Sequence, residues 1–262
     1  MEYRIQTQYS RTPTPLSLIR LLTDCLEFGN ESFTKIPVAI LAAFVGKGMN
    51  QSKGGRLMFV EMRTYLLKPG ATAGFEERFT EGLSARAKIS PFGGLWKSEV
   101  GGLNRVVHMW PYESFEDRER IAGEARKTGK WPPKTQEFII EQENRIIQPA
   151  PFSPPLEPRS IGNTYEFRMY TYQPGTMPTV LERFGEVMPR RTKISPLVFA
   201  GHTLIGPLNQ YIHVWAYKDG GERDRLRAEA SKSVQGWPPQ TREFIVKQEN
   251  MVMVPCACSP MK

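Results

Sequence analysis

Alternating hydrophobic and polar positions recur in two long stretches of the chain, and they predict the same elements twice. A strand is predicted near 59–67 and again near 164–172, because aromatic and apolar residues alternate there with polar ones. A Pro-Gly pair ends each strand. A helix follows in the first stretch, where Phe75, Phe79 and Leu83 recur at helical spacing. Each stretch therefore begins with a strand and a helix.

The remainder of each stretch predicts two strands, a second helix and a final strand. In the first stretch these elements are predicted near 92–100, 104–112, 114–128 and 144–148, and the final strand of the second stretch near 250–254. Ser114 and Asp117 have the spacing of a capping box, which marks the start of the second helix. The resulting order, β-α-β-β-α-β, is the ferredoxin-like arrangement.

The two stretches are copies of one module. Glu-x-Arg-x-Tyr occurs at residues 61–65 and 166–170, and His-x-Trp at 108–110 and 213–215, which gives a common spacing of 105 residues (166 − 61 = 105). One inserted residue shifts the spacing to 106 before a shared Trp-Pro-Pro motif. A register kept over most of each module indicates a tandem duplication.

The duplication defines the predicted domain organisation. Residues 1–56 share nothing with either copy and precede the first module at 57–149. A proline-rich linker at 150–160 leads to the second module at 161–262. Helices cover only one face of each ferredoxin-like sheet, so the other face must be buried by a partner. We therefore expect an α+β fold in which the two modules form an intrachain dimeric α+β barrel.

Composition narrows the function classes. The formal net charge is +8, and hydrophobic residues make up 40% of the chain. No segment approaches the roughly 18–20 apolar residues of a membrane-spanning helix, although the charge leaves peripheral membrane contact open. No basic run with interleaved aromatic residues occurs, so we expect no nucleic-acid partner. A homo-oligomer is also left open.

The cysteines indicate neither a disulfide framework nor a metal site. Cys25, Cys256 and Cys258 are too few, and odd in number, for a secreted disulfide scaffold. Cys256 and Cys258 lack the two further ligands of a structural zinc site. We expect no metal and a reduced C-terminal tail.

Residues 1–56 carry arginines and serines around a short apolar cluster, as mitochondrial transit peptides do. Glu2, Asp24, Glu27 and Glu31 interrupt the pattern, since transit peptides are poor in acidic residues. The segment is interpreted as a targeting segment or as a disordered leader. The corresponding locations are the mitochondrion and, alternatively, the cytoplasm.

The tandem modules resemble the NipSnap family, and most closely its type-3-like members. The resemblance covers roughly residues 58–262 and rests on E-x-R-x-Y followed by a proline, on L-N-x-x-x-H-x-W, and on the run from Gln248 to Pro255. It implies a dimeric α+β barrel and a non-enzymatic binding or adaptor protein. It also implies a mitochondrial location, in the matrix or associated with a membrane, and autophagy factors that act in mitophagy as protein partners. The other setting that it implies is vesicular trafficking, with trafficking factors as partners.

Strand alternation predicts one polar face in each module, because residues i, i+2 and i+4 share a face. We expect the apolar faces to pack on the helices and the polar faces to point into the barrel. The candidate ligand-binding residues are Glu61, Arg63, Tyr65, His108 and Trp110 in the first module and Glu166, Arg168, Tyr170, His213 and Trp215 in the second.

Two interpretations of the polar faces remain open. A cavity of this kind suits a small ligand. Because barrel relatives include haem-degrading and other monooxygenases, haem held by His108 or His213 is an alternative with monooxygenase-like activity. A buried Glu–Arg pair tied to Tyr is the structural alternative. This structural interpretation is favoured because both modules keep the Glu-x-Arg-x-Tyr motif. We therefore assign no catalytic residue and no cofactor.

Basic residues near the end of the first helix of each module offer a further candidate. They are Arg86 and Lys88 in the first module, and Arg190, Arg191 and Lys193 in the second. They are interpreted either as an anion-binding patch or as solvated helix ends, where positive charge suits the helix dipole.

Overall fold

Eight strands close into one barrel. The computed structural model describes residues 59–262, so the predicted leader at 1–56 lies outside the described residues. The strands are β1 Phe59–Leu67, β2 Gly94–Val100, β3 Arg105–Tyr112, β4 Ile139–Pro149, β5 Thr164–Tyr172, β6 Leu197–Ile205, β7 Gln210–Tyr217 and β8 Ile245–Pro255. They are hydrogen-bonded in the closed order β1-β3-β2-β8-β5-β7-β6-β4, and every pairing is antiparallel.

The helices of the described region are α1 Thr72–Arg86, α2 Phe115–Lys127, α3 Met177–Arg191 and α4 Gly220–Ser233, with short 3-10 helices at Gln136–Phe138 and Arg242–Phe244. Each half has the predicted order β-α-β-β-α-β. The halves join where β2 pairs with β8 and β4 with β6, so none of the eight strands within residues 59–262 leaves an unpaired sheet edge. The predicted fold class, two ferredoxin-like modules forming an intrachain α+β barrel, is confirmed.

Short sequence motifs predict the ends of some helices and strands correctly and those of others incorrectly. The backbone N–H of Asp117 donates to Oγ of Ser114 at 3.0 Å, so the predicted cap of α2 forms. Strand β4 begins at Ile139, well before the predicted 144, although residues 141–143 are polar, with Glu141 and Gln142 exposed and Glu143 half-buried. Pairing with β1, and not burial, extends β4 through this polar segment, and apolar alternation alone does not reveal it.

Apolar side chains fill the barrel interior. Val60, Met62, Val107 and Met109 pack there against the equivalent apolar face of the second module. Tyr65 lies instead on the outer face of the sheet, packed with aromatic residues of α1. The expectation that the polar faces point into the barrel is therefore wrong. A closed lumen favours apolar groups, since buried charges need paired and hydrogen-bonded surroundings.

The segment 150–160 contributes to the barrel core as well as joining the modules. The N–H of Ala150 donates to the carbonyl of Ala200 at 2.9 Å. The side chain of Leu156 is 2% exposed and packs in the same apolar cluster as the barrel interior. Arg159 forms a parallel bridge with Met261 near the chain end. This segment and the end of the second module therefore pack against each other beside the barrel.

Replacement of Leu156 by Ala is expected to lower the free energy of unfolding by about 2–5 kcal/mol, because it leaves a cavity in a packed core. Leu103→Ala is the matched control, since Leu103 is 67% exposed, and its effect should stay within about 0.5 kcal/mol. Urea denaturation measures both values. Equal effects of the two substitutions would show that the linker contributes nothing to the core.

Candidate functional site

The two polar faces and the helices above them form two equivalent pockets on the outside of the barrel. The N-terminal pocket, of about 260 Å³, lies between β1 and β3 and helices α1 and α2. The C-terminal pocket, of about 240 Å³, lies between β5 and β7 and helices α3 and α4. The structure brings all ten candidate residues to these pockets: Glu61, Arg63, Tyr65, His108 and Trp110 in the first, and Glu166, Arg168, Tyr170, His213 and Trp215 in the second.

A buried glutamate organises the charged wall of the N-terminal pocket. Glu61 is 1% exposed. Its Oε1 accepts hydrogen bonds from Arg63 at 3.0 Å, Arg118 at 2.8 Å and Asn144 at 2.9 Å. Burial by itself raises the pKa of Glu61, but the hydrogen bond from Arg118 and the charge of Arg63 outweigh it and lower the pKa below its ordinary value. The carboxylate therefore stays ionised.

Glu166 repeats this arrangement in the C-terminal pocket. Its Oε1 accepts from Arg168 at 2.8 Å, Arg223 at 2.7 Å, Arg227 at 3.1 Å and Asn250 at 3.0 Å. Nε of Arg168 also donates to the hydroxyl of Tyr170 at 2.7 Å. The Glu–Arg pair tied to Tyr, which the sequence suggested as the structural alternative, is thus present in the second half.

Sequence reasoning missed the partners that other elements supply. Arg118 comes from α2 and Asn144 from β4. The repeat carried a usable signal, because Arg118 and Arg223 are separated by 105 residues and Asn144 and Asn250 by 106. Both partners could therefore have been predicted from polar residues that recur at the spacing of the duplication.

A third arginine of the N-terminal pocket is buried without a carboxylate partner. Arg86 is 2% exposed, and its guanidinium lies 4.3 Å from the ring centroid of Trp110. It donates to the hydroxyl of Tyr112 at 3.0 Å and to Oγ of Ser90. Within residues 59–262 it forms no ion pair with an acidic side chain. Burial lowers the pKa of Arg86 from its ordinary value, although an arginine remains charged at neutral pH.

Arg191 has the same setting in the C-terminal pocket. It is buried, lies 4.3 Å from the ring centroid of Trp215, and donates to Oγ of Ser195 at 2.8 Å. The interpretation of these positions as solvated helix ends is therefore wrong for Arg86 and Arg191. It fits Lys88, Arg190 and Lys193, whose side chains are exposed.

The histidine of each pocket is neutral and accepts a hydrogen bond from the tryptophan two residues further along its strand. Nε1–H of Trp110 donates to Nδ1 of His108 at 2.6 Å, and burial lowers the pKa of His108 to about 3. Since an indole N–H can only donate, the one proton of the neutral imidazole is on Nε2. This buried Nε2 has no hydrogen-bond partner within the described region. His213 repeats the arrangement with Trp215 at 2.8 Å, and burial lowers its pKa well below the ordinary value.

Together these groups suit an oxyanion with an apolar body. Each pocket is lined by a buried guanidinium without a counter-ion and by a neutral histidine whose Nε2–H has no acceptor among the described residues. Its remaining wall includes a Trp-Pro-Pro segment and a phenylalanine of the first helix, Phe79 or Phe184. Hydrogen bonds from charged donors to an oxyanion are roughly twice as strong as neutral ones. Apolar walls with a few converging polar groups are typical of small-molecule sites.

The same geometry does not fit haem. A metal-ligating histidine almost always donates its second ring N–H to an acceptor. Nδ1 of His108 accepts from Trp110 instead, and the ring proton is on Nε2, the one nitrogen left to bind a metal.

The buried histidines should make stability depend on pH. Unfolded histidines bind protons near pH 6.5, whereas folded His108 stays neutral down to about pH 3. The unfolded state therefore binds more protons between these values, and the free energy of unfolding should fall as pH decreases. The slope approaches about 1.4 kcal/mol per pH unit for each such histidine.

Urea denaturation at about pH 7.5, 6 and 5 measures this slope. His108→Gln keeps a side-chain acceptor for Trp110 and removes the titrating group, so the slope should become smaller in this variant. An identical slope in the variant and the unmodified protein would show that His108 is not held neutral in the folded state.

Comparison with known proteins supports this architecture. The chain is 26% identical over 213 residues to human Protein NipSnap homolog 3B, covering 78% of this chain and 86% of that protein. It is 28% identical over 228 residues to Protein NipSnap homolog 3B of Mus musculus, covering 82% and 89%. A solved structure from Fusobacterium nucleatum, of a protein that its name proposes as a monooxygenase, matches with a TM-score of 0.59 at 11% identity, covering 76% of this chain and 92% of that chain.

The match to the Fusobacterium structure shows a shared fold alone.

Among the helices of residues 59–262, none has the length and apolar character needed to cross a membrane. The family model described as NIPSNAP matches twice, over residues 60–154 and 165–260. Since these matches cover most of the chain and coincide with the two halves of the barrel, this protein belongs to the NIPSNAP family.

Proposed function

We propose that this chain is a non-enzymatic NipSnap-type binding protein whose two pockets each hold a small organic anion. The observation that carries the proposal concerns Arg86 and His108. A buried guanidinium without a carboxylate partner lines the same pocket as a buried imidazole N–H without an acceptor. Arg191 and His213 repeat this arrangement. An anion in the pocket would supply the counter-ion that the buried guanidinium lacks.

The electrostatics of the pockets favour binding over catalysis. A general base needs a pKa near the working pH and a free acceptor. The pKa of His108 lies at about 3, and its acceptor nitrogen is already bonded to Trp110. The carboxylate of Glu61 has a lowered pKa and three donors on one oxygen. Neither group is prepared to accept a proton from a substrate at neutral pH.

The walls of the pocket indicate what carries the anionic group. The ring of Trp131 packs against two other aromatic rings of the pocket wall, those of Phe79 and Trp110. The ring centroids are 5.4 Å apart in each of these two pairs. Flat aromatic surfaces favour a ligand with a flat or apolar body. Benzoate therefore serves as a probe for the carboxylate class, and benzamide is its neutral counterpart of similar shape.

The cellular setting forms part of the same proposal. We place the protein in mitochondria, with autophagy or trafficking factors as partners in mitochondrial quality control or vesicular transport. Family membership and the arginine- and serine-containing segment 1–56 support this placement.

Imaging a tagged full-length chain beside a chain lacking residues 1–56 tests the mitochondrial location. The full-length chain should co-localise with mitochondria and the shortened chain should not. A shared, non-mitochondrial distribution of the two chains would contradict the proposal.

Binding of benzoate, and not of benzamide, is the expected result of calorimetric titration at about pH 7.5. Arg86→Met should weaken binding to the N-terminal pocket at least about tenfold, because a hydrogen bond to a charged donor contributes roughly 1.5–3 kcal/mol. Arg78→Met is the matched control. Arg78 is an exposed arginine two turns earlier on α1, and its replacement should leave the affinity unchanged.

Indole N–H resonances give a second measurement that needs no variant. Saturation with benzoate should shift the Trp110 and Trp215 signals, since both indoles bond to the pocket histidines. Equal affinity for benzoate and benzamide, or unaltered indole signals at saturating benzoate, would show that the pockets do not select an anion.

A further inference from the structure

The two pockets differ in charge at a position one helical turn beyond the arginine that binds the glutamate. In α2 this arginine is Arg118, and the next residue on the same face is Ala122. In α4 the equivalent arginine is Arg223, and the residue at the position of Ala122 is Arg227. Both follow the repeat spacing of 105 residues. Ala122 lines the first pocket and Arg227 lines the second, so the duplication has placed an additional guanidinium in the C-terminal pocket.

A second difference lies at the short 3-10 helices. Gln136 begins the first of them and Arg242 the second, at a spacing of 106 residues. Each side chain lines its own pocket. Arg242 is exposed and forms no ion pair with an acidic side chain of residues 59–262. Its charge is therefore available to a ligand at the rim of the C-terminal pocket.

These two positions change the charge balance. Around the N-terminal pocket three arginines face one glutamate, which leaves an excess of two positive charges (3 − 1 = 2): Arg63, Arg86 and Arg118 against Glu61. Four arginines line the C-terminal pocket, and Arg223, the equivalent of Arg118, binds its glutamate from behind the lining. Together they leave an excess of four positive charges (5 − 1 = 4): Arg168, Arg191, Arg223, Arg227 and Arg242 against Glu166. The aromatic and proline walls are otherwise equivalent.

We infer that the C-terminal pocket binds a doubly charged anion of the phosphate-monoester class on an apolar body, whereas the N-terminal pocket binds a singly charged carboxylate. The inference rests on the proposed function. A phosphate monoester carries up to two negative charges and three acceptor oxygens. Planar guanidinium groups bind such oxygens through paired hydrogen bonds. Arg191, Arg227 and Arg242 supply guanidinium donors from α3, α4 and the second 3-10 helix around one cavity.

The probes for this difference share one aromatic ring and differ in charge. Phenyl phosphate at about pH 8 is a dianion, since its second ionisation lies near pH 6, and benzoate is a monoanion. Calorimetric titration of the full chain should resolve two classes of site for phenyl phosphate, with affinities at least about tenfold apart. The two sites for benzoate should have more similar affinities.

Exchange of the differing residues assigns the tighter class to its pocket. Arg227→Ala with Arg242→Gln gives the C-terminal pocket the residues of the first pocket and should weaken the tight phenyl phosphate class about tenfold or more. It should affect benzoate less. Ala122→Arg with Gln136→Arg is the reciprocal exchange and should tighten the weaker class. None of the four side chains is fully buried, so both variants are expected to fold.

Three results are informative, and they separate the inference from the proposed function. Two equal classes for phenyl phosphate, with benzoate bound, would overturn the inference and leave the proposed function standing. The same loss for benzoate and phenyl phosphate in the Arg227→Ala, Arg242→Gln variant would also overturn it, because these residues would not distinguish charge. Absence of binding by either probe would overturn the proposed function, and the inference with it.

Discussion

Each module has a sheet that its own helices cover on one face only, and burial of the other face determines the rest of the structure. The two uncovered faces pack against each other through apolar side chains such as Met62 and Val107, and the edge strands pair across the modules. Strand alternation then sends every second residue outward beneath the helices. The placement of Glu61, Arg63 and His108 in an outer pocket is thus a consequence of closing the barrel with apolar groups.

The outward face is where a charged network can be stable. A buried carboxylate costs several kcal/mol to desolvate unless it is paired and hydrogen-bonded. Arg63 supplies a partner from the same strand, and Arg118 and Asn144 bring donors from neighbouring elements. Because the partners belong to different elements, the network fixes the position of α2 and β4 relative to β1. Its structural role and its position in the pocket wall are therefore compatible.

The sequence predicted the elements well where periodicity and burial agree. Strands β1 and β5 have their predicted bounds, since both faces of these strands are packed and their alternation is clear. The polar beginning of β4 was missed because its pairing with β1, and not its composition, makes it a strand. Repeat spacing identified the two modules because it depends on residue identity alone and needs no geometry.

The candidate site was predictable in its members but not in its location. Glu61, Arg63 and Tyr65 share a face by alternation, and that grouping is independent of the direction in which the face points. The choice between lumen and helix side depends on which face meets the second module, and both faces of β1 are largely buried. Strand alternation could not predict the contact of Arg118 with Glu61, because the two residues are 57 positions apart in the sequence and belong to different elements.

The difference between the structural and the binding interpretation lies in which groups remain unsatisfied. A purely structural network needs its charges paired, and the Glu61 cluster meets this condition. Arg86 and the Nε2–H of His108 do not, since one lacks a counter-ion and the other lacks an acceptor within the described residues. An unsatisfied buried donor costs about 1–3 kcal/mol, and the second half repeats both groups at Arg191 and His213. Buried polar atoms outside the pockets, such as Nε1 of Trp96 and the hydroxyl of Tyr165, also lack partners within the described residues, so this cost alone does not require a ligand. What distinguishes the pockets is the buried guanidinium without a counter-ion in each of them, and this repeated charge is what a bound anion would neutralise.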